Sequence, residues 1–93
     1  MMETKAAARI VIRGRVQGVG YRYFAQERAQ ALRLAGWVRN LPSGDVESYA
    51  EGSRDDIEQW IAQLKKGPSL SLVDHIDINW SVASQNLSSF SIR

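Results

Sequence analysis

The hydrophobic period of this chain switches between two and about 3.6 residues in a fixed order, and that order constrains the fold more than any other feature. Ala8-Arg9-Ile10-Val11-Ile12-Arg13 sets Ala8, Ile10 and Ile12 against Arg9 and Arg13, which reads as a strand with one strongly apolar face. From Arg22 to Ala35 the spacing is helical: Ala25, Ala29 and Leu32 recur, flanked by Phe24 and Ala35, among helix formers such as Gln26, Glu27 and Arg28. Gly36 is the expected stop. Trp37–Leu41 and Val46–Ala50 read as strands of a hairpin, joined by the turn Pro42-Ser43-Gly44-Asp45. Next, Ile57, Trp60, Ile61 and Leu64 form an i, i+3, i+4, i+7 stripe. Ser53 and Asp56 have capping-box spacing, Asp55 and Asp56 suit the positive helix start, Lys65 and Lys66 suit its negative end, and Gly67-Pro68 stops it. A fourth strand alternates Ile76, Ile78, Trp80 and Val82 against Asp77, Asn79 and Ser81; after a polar turn, Ala83 to Ser88, a short last strand is expected to turn Phe90 and Ile92 inward.

The order is therefore β-α-β-β-α-β with a terminal strand. Its simplest closed arrangement is an α+β, ferredoxin-like sandwich: one antiparallel sheet with two helices on one face. Ninety-three residues make one domain, expected to span residues 1–93. That length can bury enough apolar surface to fold alone, with a modest margin. The fold hosts many functions and decides none.

Composition removes several chemistries. The chain has no cysteine, which excludes disulfides, thiolate nucleophiles, zinc ribbons and iron–sulfur clusters. A single histidine, His75, excludes a two-histidine metal site within one chain. The start, Met1-Met2-Glu3-Thr4-Lys5, has no apolar run long enough for a signal peptide, and no later stretch could span a membrane. The chain reads as cytoplasmic, with nothing demanding more than a monomer. Net charge is +2, but residues 1–40 hold eight basic and two acidic side chains, whereas residues 41–93 hold four basic and eight acidic ones. A basic half suits nucleic acid or a small anion, and equally a solvated surface of uneven charge.

The segment Gly14-Arg15-Val16-Gln17-Gly18-Val19-Gly20-Tyr21-Arg22 joins the first strand to the first helix. Amides at a helix start are unpaired and carry a partial positive field, and glycines let a loop curl until several of them converge on one anion. Arg22, where loop becomes helix, can add two parallel hydrogen bonds to phosphate oxygens. The loop reads as a cradle for a terminal phosphate, although a plain glycine-rich turn with a surface arginine has the same pattern. It lacks the lysine of a nucleotide P-loop, and Tyr23 stands where a dinucleotide fingerprint needs its third glycine.

These residues, followed by Gly36-Trp-Val-Arg-Asn-Leu-Pro-Ser-Gly44, resemble the two signature segments of the acylphosphatases. The resemblance extends through Val46 to Gly52, the amphipathic second helix with Gly67-Pro68 behind it, and the closing Phe90-Ser-Ile-Arg93. It implies hydrolysis of the carboxyl–phosphate anhydride of small acyl phosphates, without metal or cofactor. It implies that loop amides from Gln17 through Gly18, Val19, Gly20 and Tyr21 to Arg22 hold the phosphate. At the matching positions, Arg22 is the principal substrate ligand and Asn40 orients the attacking water. Two departures stand out: the family often has phenylalanine where Tyr21 stands, and the chain stops at Arg93 without the closing tyrosine of some relatives.

Other residues read as structural. Trp37, Trp60 and Trp80 fall at core-facing spacings, Tyr21 and Tyr23 are expected to pack, and His75 is far in sequence from the cradle. Two rival functions share this element order. One is a non-catalytic ligand-binding module, since acylphosphatase-like domains occur within larger proteins such as a hydrogenase maturation factor. The other is RNA binding, which needs exposed aromatics on the first and third strands. Here the first strand has none and Asp45–Ala50 offers only Tyr49 beside two acids, so no nucleic-acid partner is expected.

Overall fold

A computed structural model describes residues 5–93, so the expected leaderless start at Met1–Thr4 lies outside the described residues. The elements are β1 (Lys5–Arg15), α1 (Tyr21–Ala31), β2 (Ala35–Asn40), β3 (Val46–Ser53), α2 (Arg54–Lys66), β4 (Leu72–Ser81) and β5 (Phe90–Ile92). The strands form one sheet in the order β4-β1-β3-β2-β5. Both helices pack on one face of it, where Ala8, Ile10, Ile12, Val38, Val46 and Ala50 meet Ala25, Ala29, Ile57, Trp60, Ile61 and Leu64. This is the ferredoxin-like sandwich, with the stripe of α2 fully inside.

The sheet is mixed, not antiparallel as expected, because β5 runs parallel to β2 with Ile92 beside Val38. Connectivity forces this. β4 is antiparallel to β1, β1 to β3, and β3 to β2, so β4 also runs opposite to β2. The chain after β4 crosses the open face and reverses, so β5 runs opposite to β4 and with β2. Glu51 holds that crossing: its carboxylate accepts from the amides of Ser84 at 2.9 Å and Gln85 at 2.8 Å, and from the Tyr49 hydroxyl at 2.6 Å. Leu87 of the same segment packs on Ala7, Trp37 and Tyr49, a small second cluster on the open face.

Several boundaries differ from expectation. The first helix ends at Ala31, not at Ala35. Arg33 takes a left-handed conformation at φ 58°, its amide donates to Gln30 O, and the Leu34 amide donates to Ala29 O at 2.9 Å. That is a Schellman ending with arginine in the place glycine usually takes. Gly36 does not stop the helix; it lies inside β2, where a Cβ would stand 1.9 Å from the Tyr49 carbonyl oxygen. Val82 does not continue the apolar face of β4 but follows the strand, 77% exposed. Ser53 caps α2 as expected, accepting from the Asp56 amide at 3.1 Å.

Candidate active site

The C-terminal ends of β1, β2 and β5 lie at one end of the sheet. The loop after β1 runs from Val16 to Gly20 and feeds α1. Val16 is buried and Val19 packs partly against the same core, so apolar side chains anchor the loop from beneath. Gly18 at φ 74° and Gly20 at φ 78° take the left-handed conformation that lets the backbone curl between them. A Cβ at either would meet nothing within 4 Å, so the requirement is conformational, and the space above the loop is open.

Among the described residues, none of the backbone amides from Gln17 to Tyr23 donates to a protein acceptor; the first engaged is that of Phe24, to Gly20 O at 3.0 Å. The two helix starts contrast. α2 has a capping serine and Asp55 and Asp56 in its first turn, whereas α1 begins at Gly20 with no side-chain cap and no acid in its first turn. Its second residue is Arg22, which is exposed and makes no salt bridge among the described residues. Unpaired donors, a positive helix end and a free guanidinium thus share one place, the arrangement that attracts a phosphate or carboxylate.

A cleft of about 190 Å³ opens there, lined by Val16, Gly18, Gly20, Tyr21, Arg22, Tyr23, Asn40 and Ile92. The two signature segments therefore meet in space. Asn40 ends β2 two residues after the buried Val38, so it lies on the helix face. Its carboxamide is exposed and has no hydrogen-bond partner among the described residues. Gln17 and Val19 do not line the cleft. The Gln17 side chain instead donates to the carbonyls of Leu41 at 2.8 Å and Asp45 at 2.9 Å, spanning the start of β3 to grip the hairpin that follows Asn40. Arg13 adds a second tie, 3.0 Å from both Asp45 and Asp77.

Tyr21 packs as expected: it is buried, and its hydroxyl donates to Leu64 O at 2.7 Å, joining the start of α1 to the end of α2. Burial pushes the phenol well above its ordinary pKa, so it stays protonated. Tyr23 does not pack; it is 65% exposed on the cleft. Phe90 enters the core as expected, whereas Ile92, facing the same side on the edge strand, is 40% exposed at the cleft. Sequence periodicity gives the face of a residue but not whether another element covers it, and so missed both. His75 stays away from the cleft, with Nε2 2.9 Å from Asp77 Oδ1. Arg13, and after it His75, holds the Asp77 carboxyl below its usual pKa. Among the described residues no three metal-ligating side chains cluster, and no helix is long and apolar enough to cross a membrane.

Comparison with known proteins agrees with this geometry. Residues 8–92 match the acylphosphatase family model. A curated acylphosphatase of Koribacter versatilis (strain Ellin345) is 45% identical over 93 residues, covering 100% of this chain and 84% of the relative. The crystal structure of acylphosphatase from Bacillus subtilis superposes with a TM-score of 0.92 at 40% identity, covering 95% of this chain and 98% of that one. The crystal structure of full-length HypF, in a phosphate- and nucleotide-bound form, matches at a TM-score of 0.87 and 32% identity, covering 100% of this chain but 12% of that one. With the family model matched over nearly its whole length and a relative this similar end to end, the chain belongs to the acylphosphatase family.

Proposed function

We propose that the protein hydrolyses acyl phosphates to a carboxylate and inorganic phosphate. The observation that carries this reading is the meeting of Arg22, Asn40 and a run of unpaired loop amides around one cleft. An acyl phosphate is already activated, because its leaving group is a stabilised carboxylate. The barrier falls mainly by placing water in line with the leaving oxygen and neutralising charge on the phosphoryl oxygens. The amides of Gln17, Gly18, Val19, Gly20, Tyr21 and Arg22 with the Arg22 guanidinium supply the charge. Asn40 accepts a hydrogen bond from water through its carbonyl oxygen and donates through its amide. It is not basic, so the substrate's own phosphate oxygen takes the proton from the attacking water.

The chain acts as one domain and a monomer in this reading, and a cysteine-free sequence suits a reducing cytoplasm. RNA binding is disfavoured on the open face. Trp37 and Tyr49 stack there with centroids 6.0 Å apart but are 3% and 5% exposed, leaving little ring for a base. Glu47 on that face is paired with both Arg9 and Arg39.

The test is hydrolysis of acetyl phosphate and benzoyl phosphate, with a chelator present, by wild type, Arg22→Ala and Asn40→Ala, each checked for folding by circular dichroism. Turnover in the wild type that is lost in both folded variants is expected. Asn40→Ala should lower kcat far more than substrate affinity; equal loss in both would count against water orientation. A folded wild type without turnover would favour a binding module on the same scaffold.

A further inference from the structure

Five large apolar side chains are left substantially exposed among the described residues: Tyr23, Leu70, Leu72, Val82 and Ile92. Two of them, Tyr23 and Ile92, line the cleft that holds Arg22 and Asn40. Tyr23 follows Arg22 directly and belongs to the helix side of the cleft. Ile92, in register with Val38 two residues before Asn40, belongs to the strand side. Their neighbours are engaged: Tyr21 and Phe24 lie 6.0 Å apart, and the Arg28 guanidinium sits 5.1 Å over Phe24. The Tyr23 ring has no aromatic or cationic partner among the described residues. It neither caps the helix nor joins the core.

We propose that Tyr23 and Ile92 form the acyl-binding rim of this cleft and make it select acyl phosphates with apolar, above all aromatic, acyl groups. The proposal rests on the acyl phosphate reading above. An acyl phosphate is dianionic at one end and carries its acyl carbon one oxygen away from phosphorus. With the phosphate seated on the loop amides, the acyl group must leave the small cleft over its rim, where the free tyrosine ring and the isoleucine offer apolar surface. Contacts there do not touch the charge at phosphorus, so they act on binding and appear in KM. Stacking of one aromatic group on another amounts to about a 3- to 10-fold preference. Acetate and benzoate are leaving groups of similar acidity, so the two substrates compare rim contacts with little change in intrinsic chemistry.

The experiment measures KM and kcat for benzoyl and acetyl phosphate, with inorganic phosphate as competitive inhibitor, in wild type, Tyr23→Ser, Tyr23→Phe and Ile92→Thr. The wild-type KM for benzoyl phosphate should be about 3- to 10-fold below that for acetyl phosphate. Tyr23→Ser should remove most of that ratio and Ile92→Thr part of it, both with the phosphate inhibition constant kept. Tyr23→Phe should retain the ratio, since the ring carries the contact. A ratio unchanged in Tyr23→Ser, or lost equally in Tyr23→Phe, overturns the proposal. So does a parallel loss of both substrates and of phosphate inhibition, which marks damage to the loop. A wild type that hydrolyses neither substrate overturns the acyl phosphate reading itself, and is distinguished because it appears before any variant is made.

Discussion

The side-chain amide of Gln17 donates to the backbone carbonyl of Leu41 at 2.8 Å, and so ties the loop after β1 to the residue that follows Asn40. The same nitrogen reaches the Asp45 carbonyl at 2.9 Å, while the Leu41 amide donates to that Asp45 carbonyl at 2.8 Å. Loop and hairpin are therefore one hydrogen-bonded unit. The unit sets the distance between the loop amides and the Asn40 carboxamide, which neither segment fixes alone.

Gln17→Met keeps the shape of the side chain and removes both donors. Each bond contributes about 0.5–1.5 kcal/mol, so stability should fall by about 1–3 kcal/mol in denaturant unfolding. Misplacement of Asn40 relative to the cradle should lower kcat by about 10-fold or more, with a smaller change in the inhibition constant for inorganic phosphate. A loss of stability with kcat unchanged would reduce Gln17 to a structural clasp.

Arg22 places a cation in the first turn of a helix that has no capping side chain and no acid there. Such a charge costs about 0.3–1 kcal/mol against the helix dipole. Arg22→Ala should therefore raise the stability of the ligand-free protein by about that amount. Inorganic phosphate at ten times its Kd should stabilise the wild type by about 1.4 kcal/mol and should do far less for the variant. Thermal unfolding with and without phosphate measures both. A variant less stable than wild type without ligand would show that the arginine stem packs in a way that outweighs the charge.

Glu51 is buried beneath the crossing segment. Burial pushes its carboxyl pKa up, but the Tyr49 hydroxyl and the amides of Gln85, Leu87 and Ser84 together pull it further down, and the net shift is downward. The folded state thus binds this proton less tightly than the unfolded chain does. The stabilisation is complete above the unfolded carboxylate pKa of about 4.3 and is lost as pH falls through the lower folded value. Glu51→Gln places an amide group where donors converge and should cost about 1–3 kcal/mol at neutral pH. The gap between wild type and variant should close in acid, as read by unfolding at pH 7 and at pH 3. A gap independent of pH would assign the effect to packing.

Arg33 holds a left-handed conformation at φ 58°, which costs an L-residue about 1–2 kcal/mol relative to glycine. Part of that gain is offset by the greater freedom of glycine in the unfolded chain. Arg33→Gly should raise stability by about 0.5–1 kcal/mol without moving the ends of α1 or β2. Equilibrium unfolding is the measurement, and destabilisation would mean that the arginine side chain makes contacts that the helix ending does not require.

The sequence by itself determined the element order, the apolar face of each helix and most strands, and the two segments that meet at the cleft. These follow from local rules: period two for a half-buried strand, the stripe from Ile57 to Leu64 for a helix, and glycines where a loop must curl. The cap at Ser53 was legible for the same reason, since cap and amide lie three residues apart. Tertiary structure alone decided what depends on non-local geometry. The direction of β5 follows from a crossing held by Glu51, and the inclusion of Gly36 in β2 follows from the close approach of Tyr49. Tyr23 and Ile92 came to rim the cleft because, among the described residues, no element covers them. Gln17 grips Leu41 from 24 residues away because β3 lies between their strands. A periodic pattern states which way a side chain points; whether anything meets it there depends on how the elements pack.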